Sequence, residues 1–207
     1  MTVDEALGEL LEGNARFVSG VAAHPNQDAE HRAALAEAQA PFAVIFGCSD
    51  SRLAAEIIFD RGLGDLFVVR TAGHAVGRGV LGSIEYAVSV LAVPLVVVLG
   101  HSSCGAVTAT RDSVTSHERP EGHLGHVIDA IAPSVREAAA RGVSAVDRIV
   151  DIHVERTAEH VRLHCPPLNA AVAAGRSAIV GMSYRLTDGR VRVVSSTLHR
   201  PPGRRAD

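Results

Sequence analysis

Phe42-Ala-Val-Ile-Phe-Gly-Cys48-Ser-Asp50-Ser-Arg52 and Pro94-Leu-Val-Val-Val-Leu-Gly-His101-Ser-Ser-Cys104 share one pattern: an apolar, β-forming run followed at once by reactive side chains. Unbroken apolar runs of this length read as strands buried on both faces of a parallel sheet, and in such sheets ligands collect at the carboxyl ends. Two thiols and an imidazole are therefore expected at one sheet edge, with the Asp50 carboxylate and the Arg52 guanidinium beside them.

The remaining elements fit an α/β domain around these strands. Thr2-Val-Asp-Glu5 has the form of a capping box, and Leu7, Leu10, Leu11 and Phe17 follow at helical spacing. The apolar side of this first helix suits a partner chain or its own core equally well. Further helices are expected over His31–Gln39, Leu53–Asp60, Ser83–Leu91, Gly105–Arg111, Val127–Ala140 and Ala145–His164. A short piece, Leu168–Ala174, follows the Pro166-Pro167 break. Strands are expected at Phe42–Gly47, Leu66–Arg70, Pro94–Leu99 and Ala178–Tyr184. Thr187-Asp-Gly-Arg190 reads as a hairpin turn that returns Val191–Ser195 as an antiparallel edge. Gly73–Gly82 and residues 112–125 read as loops. The fold class is a mostly parallel central sheet with an antiparallel edge strand and flanking helices. It forms one domain over residues 1–200, with a disordered tail from Pro201.

With 207 residues, 47% hydrophobic and 21% charged, and a net charge of −3, the composition is globular. It argues against nucleic-acid binding, which wants a concentrated basic surface. The apolar run around Leu91–Leu99 is too short for a bilayer, and the first residues lack a secretory signal's pattern. An odd count of cysteines, three, suits reduced thiols in the cytoplasm better than a disulfide framework.

Thiolate and imidazole ligands in tetrahedral geometry, with one position left for water, describe a catalytic zinc site. Cys48, His101 and Cys104 supply three such ligands. His101 and Cys104 stand three positions apart, so a turn entering a helix aims both at one point. Two thiolates cancel the charge of a zinc ion, so the neighbours must help to acidify bound water. Asp50, held by Arg52 in a charge-assisted pair, can accept the proton of a zinc hydroxide and turn its lone pair outward. With that pair broken, Asp50 is close enough to serve as a fourth ligand and close the site.

The Cys-x-Asp-x-Arg and His-x-x-Cys motifs, with their spacing, resemble those of the β-class carbonic anhydrases. Asp65-Leu-Phe-Val-Val-Arg70, Gly82-Ser-Ile-Glu-Tyr86-Ala-Val and Leu99-Gly-His-Ser-Ser-Cys-Gly-Ala are similar to that family's connecting segments. The resemblance runs from the first helix to Gly-Met-Ser-Tyr184. It implies one zinc per chain on Cys48, His101 and Cys104, and a catalytic dyad of Asp50 and Arg52. It also implies a substrate pocket of Gln39, Phe67, Tyr86 and Gly105 shared across a homodimer or tetramer, with the N-terminal helix packing on the partner subunit. The implied reaction is reversible hydration of carbon dioxide by zinc-bound hydroxide. His74 is the first candidate for carrying the released proton and His123 or His126 the next, though solvated loop histidines are the plainer reading.

This chain departs from the family in reading Arg70-Thr-Ala-Gly-His74 where many members carry asparagines. It also lacks the tryptophan used by bicarbonate-inhibited members, so Arg70 alone does not argue for that control. Two rival functions keep the same site: hydrolysis of carbonyl sulfide or carbon disulfide, and a non-catalytic, zinc-stabilised bicarbonate-binding module. Gly77-Arg-Gly-Val-Leu-Gly82 fits G-x-G-x-x-G but lies too far beyond its strand for a dinucleotide site. Cys48 and Arg52 are too close for a phosphatase loop. Cys165 reads as a structural or semi-exposed thiol, and His153, His160 and His164 as one polar helix surface.

Overall fold

In the computed structural model, which describes residues 1–198, β1 (Ala43–Cys48) is buried along its whole length. β2 (Leu66–Thr71) and β3 (Leu95–His101) flank it, both parallel, with Gly47 opposite Arg70 on one side and Leu99 on the other. β4 (Ala178–Tyr184) adds to β3 in parallel, and β5 (Val191–Ser196) closes that side antiparallel. The order among the described residues is β2-β1-β3-β4-β5, the mixed sheet expected from the sequence. Interior strands covered on both faces have no polar side to show, which is why β1 and β3 read as continuous apolar runs. The tail expected from Pro201 lies outside the described residues.

α1 (Val3–Ser19) begins on the expected capping box, in which Thr2 and Glu5 satisfy each other's backbone N–H. Its buried face, Ala6 and Leu10, rests on the chain's own core, while Leu11 stays exposed. Asn14 extends this contact: its amide donates to the Ile58 and Gly189 carbonyls, and its carbonyl accepts the Val191 N–H. One buried side chain thus ties α1 to the β4–β5 hairpin, whose turn uses Gly189 at φ +73°.

Several helix limits differ from the sequence reading. α2 spans only Ala29–Ala34 and buries no residue, so it has no packing to prolong it toward Gln39. α3 is the short Ala55–Ile58, halted where Asp60 turns left-handed at φ +45°. α4 (Arg78–Ser89) starts within the expected glycine loop, with Val80 and Ile84 burying its inner face. α5 (Gly105–Ser116) extends into the expected 112–125 loop. α6 (Leu124–Ala140) and α7 (Val146–His164) match expectation closely, and Pro166 opens α8 (Pro166–Ala173) at a first-turn position that needs no N–H donor.

α7 lies directly on the sheet. A Cβ on Gly100 of β3 would come within 2.5 Å of Val154, and one on Gly181 of β4 within 2.7 Å of the same side chain. No helix among the described residues is long and apolar enough to cross a membrane.

Asp60 fastens the segment after α1 to the end of α3. Its carboxylate takes hydrogen bonds from Arg16 Nε at 2.6 Å and from the Ala23 and His24 N–H groups at 2.9 Å each. Burial pushes its pKa up, but these donors outweigh it and hold the value at about 2, against an ordinary 3.8. A carboxylate with a depressed folded pKa stabilises above its unfolded value and loses that contribution as pH falls through the folded one. Asp60→Asn is therefore expected to cost about 2 kcal/mol at neutral pH, the range for hydrogen bonds to a charged group. In denaturant titrations the gap to wild type should close between about pH 4 and pH 2; a gap independent of pH would contradict this role.

Candidate metal centre

Parallel pairing of β1 and β3 brings Cys48 and His101, the last residues of their strands, to the same edge of the sheet. Ser103 then takes a left-handed conformation, φ +54°, and the chain turns back so that Cys104 caps α5. The side chain of Asp147, in the first turn of α7, accepts the Ser103 N–H at 2.8 Å and braces this turn. One donor atom from each of Cys48, His101 and Cys104 lies within 4.8 Å of the other two, and all three residues are buried.

The imidazole is oriented for coordination. The Ser102 carbonyl can only accept, so at 2.9 Å it fixes the proton on His101 Nδ1. His101 Nε2 is left buried with no hydrogen-bond partner, its lone pair available to the cluster. A buried acceptor without a partner is costly, and a metal ion is the partner that two sulfurs and a nitrogen suit. Cys48 is the more acidic thiol. The neighbouring Cys104 sulfhydryl lowers its pKa most, burial opposes this, and His101 with the Asp50 and Gly73 N–H groups add to the lowering. Those two N–H groups reach Cys48 Sγ at 3.4 and 3.2 Å.

Asp50 and Arg52 form a two-pronged pair beside the cluster. Arg52 Nε donates to Asp50 Oδ1 at 2.8 Å and Nη2 to Oδ2 at 2.7 Å, while the Arg52 N–H also reaches Oδ1. This contact with Arg52 is the main reason that the Asp50 carboxyl is held well below the usual carboxylate range. Asp50 Oδ2 also lies 4.0 Å from His101 Nε2. Arg70, from β2, donates to the Cys48 carbonyl at 3.0 Å and to the Asp50 carbonyl at 2.6 Å. The sequence motifs give Arg70 no place in the cluster. It clamps the backbone that carries both the Cys48 sulfur and the Asp50 carboxylate.

Phe67 on β2 and Tyr86 on α4 sit with ring centroids 6.2 Å apart, Tyr86 about half exposed. Gly105 follows Cys104 as the first residue of α5, and Gln39 is exposed between α2 and β1. His74, considered as a proton carrier or a solvated loop histidine, is neither. It is wholly buried, neither ring nitrogen has a hydrogen-bond partner, and burial lowers its pKa well below the ordinary value. A ring kept neutral and away from water does not exchange protons with solvent. His123 and His126 are exposed and stacked on each other, centroids 5.9 Å apart. Cys165 is fully buried rather than semi-exposed.

His153 is a further correction: it belongs to the buried face of α7, while His160 and His164 remain on the outer surface. The signal was in the sequence. Val150, Val154, Thr157 and Val161 form an i, i+3, i+4 stripe, and position 153 falls within it.

The sequence profile described as carbonic anhydrase matches residues 43–191. A carbonic anhydrase of Mycolicibacterium smegmatis is 52% identical over 90% of this chain and 90% of its own length. Carbonic anhydrase 2 of Mycobacterium tuberculosis is 53% identical over 87% of each chain. Among solved structures, the Coccomyxa β-carbonic anhydrase superposes with a TM-score of 0.70 at 28% identity, covering 90% of this chain and 85% of that one. A tetrameric β-carbonic anhydrase from Sordaria macrospora superposes with a TM-score of 0.74 at 27% identity, covering 94% and 100%. The chain thus belongs to the β-class carbonic anhydrase family, and with it to the carbonate dehydratases.

A buried S, N, S donor set should take one divalent ion per chain. Elemental analysis of purified protein is expected to give close to one equivalent, falling to near zero in Cys48→Ser and His101→Ala. A metal-replete His101→Ala protein would reject these ligands.

Proposed function

We propose that the chain catalyses the reversible hydration of carbon dioxide to bicarbonate and a proton, with zinc held by Cys48, His101 and Cys104. The observation that carries this reading is the juxtaposition of the orphaned His101 nitrogen, two sulfurs and the Arg52-bound Asp50 carboxylate. The donor set is the borderline-soft mixture that zinc favours. Bound there, zinc would supply the Lewis acidity that makes water nucleophilic near neutral pH.

The chain's own residues do the rest. Ionised Asp50 has only acceptor atoms, so an oxygen beside it must turn a hydrogen toward the carboxylate and its lone pair toward the substrate. Arg52 occupies the outer edge of both carboxylate oxygens and fixes their direction. Held at low pKa, Asp50 stays an acceptor throughout the neutral range. The same acceptor also selects the bicarbonate form with a hydroxyl facing it. Carbon dioxide is apolar and linear, so it needs a dry wall rather than a set of donors. Phe67 and Tyr86 would form that wall near Gly105, with the Gln39 amide donating to one substrate oxygen from a second copy of the chain.

Support for self-association comes from β2, an edge strand whose Phe67, Val68 and Val69 are only partly buried, and from exposed Tyr86 and Val90. We take a homodimer as the minimum and a tetramer as its extension. Three free, buried thiols suit a reducing cytoplasm.

Asp50→Asn is expected to keep its zinc while losing CO2 hydration by about 100-fold or more, the lower range for a positioned acid–base group. Stopped-flow hydration on protein of measured zinc content tests this, and near-normal turnover would remove Asp50 from the mechanism. Sulfide release from carbonyl sulfide faster than hydration would reassign the substrate.

A further inference from the structure

Behind the cluster, Gly73 is gripped from two sides. Its N–H donates to Cys48 Sγ at 3.2 Å, and its carbonyl accepts from His153 Nε2 at 3.0 Å. His153 Nδ1 lies 2.9 Å from Ser134 Oγ on α6. The roles in this chain follow from chemistry. A carbonyl can only accept, so Nε2 carries the proton; Nδ1 then has only a lone pair, and Ser134 O–H donates to it. His153 and Ser134 are buried, at 3% and 1% exposure, and the ring of His74 lies tilted against His153 with centroids 4.3 Å apart. Burial also brings the His153 pKa down to about 4, consistent with a neutral ring.

Gly73 has no freedom to be replaced here. It sits at φ +58°, and an added Cβ would meet Ile131 at 2.6 Å and Ala106 at 2.8 Å. We propose that His153 and Ser134 are positioning residues for the metal centre: they lock Gly73 so that its N–H stays on the Cys48 sulfur. The reason this matters is position and charge: the N–H fixes where the Cys48 sulfur sits, and it moderates the charge that this sulfur would pass to a metal ion. Ser134 sets the tautomer, His153 holds the carbonyl, and the N–H on the other side of Gly73 conditions the ligand. His153 and Ser134 act on the cluster only through Gly73.

The proposal rests on Cys48, His101 and Cys104 as the metal ligands, and its test separates the two ideas. Zinc affinity is measured by chelator competition, and the thiolate-to-metal charge-transfer absorption is recorded on the cobalt(II)-substituted protein. His153→Phe removes both ring nitrogens and is expected to lower zinc affinity about 10-fold or more, the usual range for such outer partners, and to move the cobalt band. His153→Gln, whose amide nitrogen can reach the Gly73 carbonyl, should recover most of both. Ser134→Ala should shift both readouts in the same direction by less. Ser177→Ala removes another buried hydroxyl, one that donates to the Val93 carbonyl, and should leave both unchanged.

A folded His153→Phe protein with wild-type affinity and spectrum overturns the proposal. If His153→Phe does not fold, Ser134→Ala decides, and unchanged values there overturn it equally. Shifts in Ser177→Ala as large as those in Ser134→Ala would also overturn it, because general destabilisation would then explain the effect. Wild-type protein that binds neither metal would instead sink the ligand assignment itself.

Discussion

The parallel pairing of β1 with β3 is the constraint on which everything else rests. It aligns Gly47 with Leu99, so the residues that follow them emerge together at one edge. Burying two thiols and an imidazole side by side is unfavourable unless they find partners. The strands can carry that cost because Val44, Phe46 and the Leu95–Leu99 run are fully buried. Each such side chain contributes about 1.5–3 kcal/mol when removed from water. Glycines at 100 and 181 let α7 close directly over the strands, and α7 in turn brings Asp147 to the ligand turn and His153 to the back of the cluster.

The electrostatics around the cluster are divided between its two sides. On the open side, Arg52 and Arg70 hold the Asp50 segment, one through the carboxylate and the other through the backbone. On the inner side His74 and His153, both kept neutral by burial, lie against each other, and Phe46 meets His74 edge-on. The Asp50–Arg52 pair therefore lies on the solvent side of the cluster. An acceptor-only carboxylate is useful at such a place because it sets the direction of a hydrogen without itself titrating near neutrality.

The strands, the mixed sheet and the Cys-His-Cys cluster were legible because they depend on local pattern: an apolar run, then a ligand, twice. The capping box at Thr2 and Glu5 was legible for the same reason. The helix limits were less so. α2 fell short because periodicity says nothing about whether a face finds something to bury against, and α4 began early because glycine is only a mild penalty inside a packed helix. His153 reads as surface because histidine is common there, although its neighbours in the α7 stripe point inward. His74 needed the fold, since only α7 and β1 packed around it show that water is kept out.

By itself the chain's order of residues determined which atoms are offered to a metal and which carboxylate and guanidinium stand next to them, because ligand type and spacing are covalent facts. Tertiary structure alone decided that His101 turns its Nε2 lone pair inward, that Arg70 grips the Cys48–Asp50 backbone, and that a glycine from another strand end donates to a sulfur. Those are contacts between segments distant along the chain. Their existence depends on strand register and helix packing, which no local pattern encodes.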